Sequence, residues 1–319
     1  MRCRKRTNGD KGVIRGKKKQ QQLTQQTLLQ YYQRNPKPKR TVKKKNHPNK
    51  TAAANIQQLQ TTLTGHTIPK NEERRGDPFR VDKPPQHFRV TSSNLNNLPA
   101  EAYKHKGKQY ISALGHYQID VNCAQEPGIN FSMLNAYDSM EERVKDLPSG
   151  KVFTAHNVWE KQIEKYLPGG TMITTTTEAS HQILSTSVDP KKLGRWTTIL
   201  LGGKKGYKTR IVSLYNPIGT SKGALSVNRQ HERRLRTIED YRKPEVALRE
   251  DLKSAIQQWI EDQEHIIICT DANEDVRTGK LTKMLREMGL HNMILTKYPH
   301  LGPTATYERS EKDIPIDAI

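Results

Sequence analysis

Asp271 and Asn273 stand two positions apart in TDANE, directly after the apolar run HIIIC. A carboxylate and a carboxamide at that spacing, at the mouth of a buried strand, can order a water and a phosphate oxygen. The same pair can also close a turn, because Asp and Asn side chains often bond the backbone two residues on. Three other strand-like runs end in residues of similar chemistry. Asn94 and Asn96 follow FRVTSS, Gln125 and Glu126 follow IDVNCA, and Tyr215 and Asn216 follow RIVSL. Each has a plainer reading too: Asn in NLNN forms turns readily, and Glu126, before Pro127 and Gly128, fits a solvated loop acid. In layered α/β folds, however, the crevice beyond the strand ends is where ligands sit.

The elements that must carry these residues are legible from periodicity. FRVTSS alternates apolar and polar residues, a helix-compatible stretch covers 102–117, and Ile119, Val121 and Cys123 alternate in the next strand. Further strands are expected at 151–155, 171–176, 181–187, 196–201 and 207–215. A helix is expected over 244–262, where Leu248, Leu252, Ala255, Ile256, Trp259 and Ile260 share a face. After HIIIC a second amphipathic helix presents Leu281, Met284, Leu285 and Met288, with Thr278 as N-cap and Gly289 as C-cap. Strands alternating with helices predict a layered α/β domain.

Charge divides the chain. Of 319 residues only 33% are hydrophobic, and the formal net charge is +21. Residues 1–50 hold 17 Lys and Arg against the single acid Asp10, together with a Gln-rich tract. Such a segment buries too little apolar surface to offset its ordering entropy, so it reads as a disordered basic tail. It suits a polyanion such as nucleic acid, or a nuclear address, or simply solvation. A Pro-containing linker closes this region, giving a tail and linker over 1–87 and a folded domain over 88–319. Cys3, Cys123 and Cys269 are too dispersed for a zinc spacing and fit small core residues of a reducing compartment. No secretory or membrane-spanning run is visible. The expectation is a nuclear or otherwise intracellular protein, not secreted and without a membrane partner, whose oligomeric state the sequence leaves open.

Taken in order, the segments NLNNL, IDVNCAQEPGIN, YLPGGTMI, GRWTTILL, RIVSLYNPIG, IIICTDANED and TATYERSEKDIPIDAI resemble the endonuclease/exonuclease/phosphatase (DNase I-like) superfamily. The GGTMI and GRW segments look most like the endonucleases of LINE-type retrotransposons. The resemblance implies a four-layer α/β/β/α sandwich and a hydrolase of phosphate esters that uses Mg²⁺ or Mn²⁺. Carried over residue by residue, it assigns metal binding to Glu126 and Asn96. It assigns catalytic roles to Asn94, Tyr215, Asp271, Asn273 and Asp317, the last as the aspartate that fixes a catalytic histidine. A hard carboxylate suits Mg²⁺, which keeps several waters. Amide donors stabilise charge that develops on the phosphate, while a carboxylate and a histidine handle protons.

The chain also departs from that pattern. No Ser-Asp-His follows Ile319, so the resemblance implies a domain that lacks its last strand, is C-terminally truncated, and as written cuts slowly or not at all. Ile218 stands where an Asn is common, and Asn96 where an Asp is common. His156, His231, His291 and His300 lie in no motif that replaces the missing histidine. The basic tail favours a nucleic-acid substrate, DNA ahead of RNA. The reading is therefore a Mg²⁺-dependent, retroelement-derived endonuclease. The alternatives are a phosphatase of a small phosphate ester and a catalytically inert nucleic-acid-binding relic.

Overall fold

The computed structural model describes residues 60–61, 67–68, 81–158, 165–219, 223–297 and 315–319. The expected tail over 1–50, Cys3 and His300 lie outside them. The chain divides into two units, Met1–Glu72 and Glu73–Ile319. Within the first, β1 (Gln60–Thr61) pairs antiparallel with β2 (Thr67–Ile68). The two larger sheets belong to the second.

Alternation of side chains builds two sheets that face one another. One has the order β3 (Val90–Asn94), β4 (Val121–Gln125), β6 (Thr171–Thr175), β5 (Lys151–Ala155). The other runs β11 (Asp317–Ala318), β10 (His265–Asp271), β9 (Lys208–Tyr215), β8 (Trp196–Gly202), β7 (Ile183–Val188). Along β4, Val121 and Cys123 point into the space between the sheets and meet Ile199, Ile211 and Cys269. Ala124 points the other way, onto the helical layer. This is the period of two expected of a strand buried on both faces.

Helices cover both outer faces. On the four-stranded sheet lie α1 (His105–His116) and α2 (Met140–Val144), whose Leu114, Met140 and Val144 pack on Ala124, Val152 and Met172. On the five-stranded sheet lie α5 (Pro244–Glu261) and α6 (Lys280–Glu287). Leu248, Leu252, Ile256 and Trp259 of α5 and Leu281 and Met284 of α6 cover Val212, Leu214 and Ile268. The architecture is the four-layer α/β/β/α sandwich. Each such core side chain contributes about 1.5–3 kcal/mol of burial, which is why the apolar stripes were visible in the sequence.

Several local expectations are corrected. Ile260 is 42% exposed and lies off the buried face of α5. Residues 181–187 do not all extend, because α3 (Thr177–His181) occupies the first of them and the chain turns at Gln182 before β7. Thr278 does not cap α6. Gly279 holds that position, and the Glu274 carboxylate accepts from Leu281 N and Thr282 N at 2.6 and 3.3 Å. An anion reaching the helix N-terminus from a preceding loop does the work of a hydroxyl cap and also meets the dipole. Gly289 follows the helix end at φ +85°, as a C-terminal glycine should.

Two elements had no signal in the pattern. Helix α4 (Val227–Thr237) buries Gln230 and His231 together with Val227 and Leu235, so its inward stripe is half polar. Residues 81–87, expected to finish the linker, are tied down: Lys83 pairs with buried Asp120 at 2.6 Å, and Arg89 donates to Val81 O at 2.9 Å. Beside α4, Arg195 is wholly buried, bonded to Asp189 at 2.6 Å through two nitrogens and to Asp251 at 2.8 Å. Breaking such a buried pair from one side typically costs about 3–5 kcal/mol. One more helix, α7 (Met293–Lys297), follows α6.

Candidate active site

The parallel pairing of β3 with β4 places Asn94 beside Gln125, so Asn94 and Glu126 leave the sheet together. On the facing sheet, β9 and β10 pair in parallel and place Tyr215 beside Asp271. The two pairs of strand ends meet. Asn94 Nδ2 donates to Asp271 Oδ2 at 2.7 Å and to Glu126 Oε2 at 3.1 Å. Tyr215 Oη donates to Glu126 Oε1 at 2.5 Å. One carboxamide thus joins two carboxylates that the sequence separates by 145 positions, and a phenol bonds the first of them.

The backbone holds these groups in conformations few residues accept. Glu126 has φ +51°, a left-handed conformation in which a non-glycine residue is uncommon. It is fixed from both sides, its N–H donating to Gly170 O at 3.1 Å and its carbonyl accepting from Asn97 N at 2.9 Å. Asn94 Oδ1 accepts from Asn96 N at 2.8 Å, and Asp271 Oδ1 accepts from Asn273 N at 3.1 Å. The turn reading of both motifs therefore holds alongside the clustering. In each case one oxygen closes the turn while the other end of the side chain enters the cluster. Asn273 Nδ2 donates to Asn216 O at 2.8 Å, locking the ends of β9 and β10 together.

Asp317 lies directly opposite Asp271 in the β10–β11 ladder. Burial, then the charges of Asp317 and Glu126, push the Asp271 carboxyl up to about 8, against the ordinary carboxylate value near 3.9. Burial and the Glu126 charge raise the Tyr215 phenol, which stays protonated as a donor. Asn96 stands outside this bonded set. Its side chain is exposed, and its oxygen accepts from Asn97 Nδ2.

Crowded carboxylates are a setting in which a divalent cation is favoured. Among the described residues no three His, Cys, Asp or Glu side chains converge into a protein-only metal cage. That excludes a closed zinc-type arrangement there but suits Mg²⁺, which takes one or two carboxylates and completes its shell with water and phosphate. Glu126 and Asp271 are the carboxylates that the Asn94 amide joins at these strand ends.

No protein-family model matches the chain, and no curated protein does. Solved structures resemble it. An AP endonuclease from Archaeoglobus fulgidus is 15% identical, with a TM-score of 0.44, over 73% of this chain and 85% of that one. An endonuclease/exonuclease/phosphatase family protein from Bacteroides thetaiotaomicron is 11% identical, TM-score 0.41, over 72% of this chain and 79% of the other. An endonuclease/exonuclease/phosphatase from Beutenbergia cavernae DSM 12333 is 14% identical, TM-score 0.38, over 72% and 63%.

Of three further residues around the cluster, Gln125 and Asn216 stood among the strand-end candidates without a role, and Lys106 was not singled out from the sequence. Lys106, on the first turn of α1, donates from Nζ to the carbonyls of Leu95, Asn96 and Asn97 at 2.5, 2.8 and 2.8 Å. It clamps the turn that carries Asn94, where Asn96 and Asn97 both have positive φ. Gln125 is buried and bridges the sheets, donating to Ser213 Oγ at 3.2 Å and Cys269 O at 3.1 Å. Asn216 donates to Ala272 O at 2.7 Å, joining the ends of β9 and β10. No sequence pattern marked Lys106, because its partners are backbone carbonyls.

His231 is buried against Arg195 and Asp189, and burial followed by the Arg195 charge lowers it to about 4. His156 packs its ring against Phe131 at 5.6 Å, and burial lowers its pKa too. His291 is exposed. Among the described residues no histidine bonds to Glu126 or Asp271. No described helix is long and apolar enough to cross a membrane.

Proposed function

We propose that this chain is a Mg²⁺-dependent phosphodiester hydrolase acting on nucleic acid, DNA in the first instance. The observation that carries the reading is the Asn94 amide held between Glu126 and Asp271, with the Tyr215 phenol on the far oxygen of Glu126. Donors and carboxylates alternate around one point, which is what a phosphoryl group and its attacking water require. The donors face the anionic oxygens, and an acceptor faces the water.

In this reading Glu126 holds the cation, which when bound neutralises phosphate charge and lowers the cost of the developing negative charge. The Asn94 amide and the Tyr215 hydroxyl donate to phosphate oxygens, giving up bonds they now make to carboxylates. Asp271 accepts a hydrogen bond from the attacking water. Its closed turn with Asn273 fixes the direction in which its second oxygen points. Asp317, across the ladder, keeps Asp271 in a crowded anionic setting.

The basic tail supports a polymeric substrate. A cationic arm concentrates polyanion near the site and helps a nuclease far more than a phosphatase of a small ester. The GGTMI and GRW segments support a retroelement origin. The test is plasmid nicking in Mg²⁺ against a chelator, with wild type and Glu126→Gln side by side. Nicking that needs Mg²⁺ and disappears in the variant supports the reading. Release of inorganic phosphate from an inositol polyphosphate without nicking would replace it with the phosphatase.

A further inference from the structure

Helix α4 carries four arginines and one acid, Glu232, among its eleven residues. The neighbouring α5 is different, with Glu245, Glu250, Asp251 and Glu261 against Arg249 and Lys253. Mixed signs are what a merely solvated helix face needs, so the bias of α4 calls for another reason. Its buried side is Val227, Gln230, His231 and Leu235. Arg229, Arg233 and Arg236, at spacings of four and three, therefore form one outward stripe.

The guanidiniums are held in place. Glu232, between them, accepts from Arg229 Nη1 at 2.6 Å and from Arg236 Nη2 at 2.8 Å. Arg233 Nη2 donates to Ala224 O at 2.8 Å. The Arg229 and Arg236 side chains nevertheless remain 51% and 67% exposed, and the group keeps a net positive charge. An arginine anchored through one nitrogen and exposed elsewhere is preorganised for a phosphate.

The start of α4 packs on a segment that is hydrogen-bonded to the loop after Glu126. Val227 packs so closely on Gly169 that a Cβ there would lie 2.8 Å from Val227 Cγ2. Gly169 O in turn accepts from Gly128 N at 3.1 Å, two residues from Glu126. From Arg229 to Arg236 the helix rises about 10 Å, close to three base-pair rises of about 3.4 Å measured along a duplex axis.

We propose that the outward face of α4 is a track for the phosphate backbone of the nucleic acid flanking the scissile bond. This rests on the reading of the site as a phosphodiester hydrolase and extends it: the enzyme holds an extended polyanion, not an isolated phosphate ester.

The test uses the full chain and two triple variants that remove equal charge. One is Arg229→Gln, Arg233→Gln, Arg236→Gln. The control is Lys204→Gln, Lys205→Gln, Lys208→Gln, in the β8–β9 hairpin at the opposite end of the strands from Tyr215. Affinity for a short duplex is measured against salt in chelator, where no metal-dependent cleavage occurs. The α4 variant should lower the salt slope by about 2–3 and weaken binding at least tenfold, and the hairpin variant should do neither. Equal changes in both would mean that only net charge matters and would overturn the proposal. So would an unchanged slope, or an equal loss of affinity for polyglutamate. If the triple variant lost its unfolding transition, Arg229→Gln with Arg236→Gln would serve, with about two-thirds of the slope change. Wild-type nicking is scored separately, so a protein that binds along α4 but never cuts would sink the hydrolase reading and leave the track standing.

Discussion

Asn94 and Asp271, 177 positions apart and on different sheets, share a hydrogen bond of 2.7 Å from amide to carboxylate. The same amide reaches Glu126, so removing it leaves two carboxylates facing one another with no donor between them. Asn94→Ala should lower nicking by about 10² or more, the usual scale for a positioned donor. Asn94 is exposed, so the change should alter global stability little. Asn94→Asp, which adds a third carboxylate, should be the less active of the two. Equal activity of Asn94→Ala and wild type would remove Asn94 from the site.

Asp271 illustrates the conflict between function and stability. It is 1% exposed and crowded by Asp317 and Glu126. Asp271→Asn keeps the shape and removes the charge crowding, but places one N–H donor where a carboxylate oxygen now accepts. In chelator at neutral pH the variant should melt at a higher temperature than wild type while nicking in Mg²⁺ falls by about 10²–10⁴. A lower melting temperature would show that the carboxylate contributes to the fold.

Elements with a clean period were legible. The apolar alternation of β4, the continuous apolar run of β10 and the single apolar face of α5 predicted their burial, because burial alone decides them. The cluster was legible as residue types at strand ends, since the ends of packed parallel strands converge whatever joins them. Helix α4 was not, because its buried face spends two positions on Gln230 and His231 and its outward positions on arginine. The tether of Lys83 to Asp120 was hidden for another reason: an ion pair across 37 positions has no local period. Thr278 lost its expected cap to Glu274, a longer side chain arriving from an irregular loop.

Lys106 touches no site side chain, yet it bonds three consecutive carbonyls of the turn behind Asn94. Lys106→Met keeps the stem and removes the donors. Stability should fall by roughly 1 kcal/mol, since the residue is largely exposed. Nicking should fall about tenfold through misplacement of Asn94. The ¹⁵N signals of the Asn94 side-chain amide should move toward those of a solvated amide, a readout that overall loosening would not reproduce. Unmoved Asn94 signals would show that the turn holds without the clamp.

His231 sets an acid limit on the fold. Buried beside Arg195, Asp189 and the Leu193 backbone, it titrates near 4 in the folded protein, against an ordinary value near 6.5. The unfolded chain therefore binds one more proton between those values, and by linkage unfolding becomes easier as pH falls through that window. The stability involved is fully present above about pH 6.5 and lost by about pH 4, roughly 3 kcal/mol in all. Asp271, held protonated to about 8, pulls the opposite way over the same range. The comparison that isolates His231 is therefore wild type against His231→Gln, each unfolded in urea at a series of pH values. Wild type should show the steeper loss of stability from pH 6.5 to pH 4, and the difference between the two slopes should vanish above pH 7. Parallel pH profiles for the two proteins would mean that His231 is already charged in the fold, paired with Asp189.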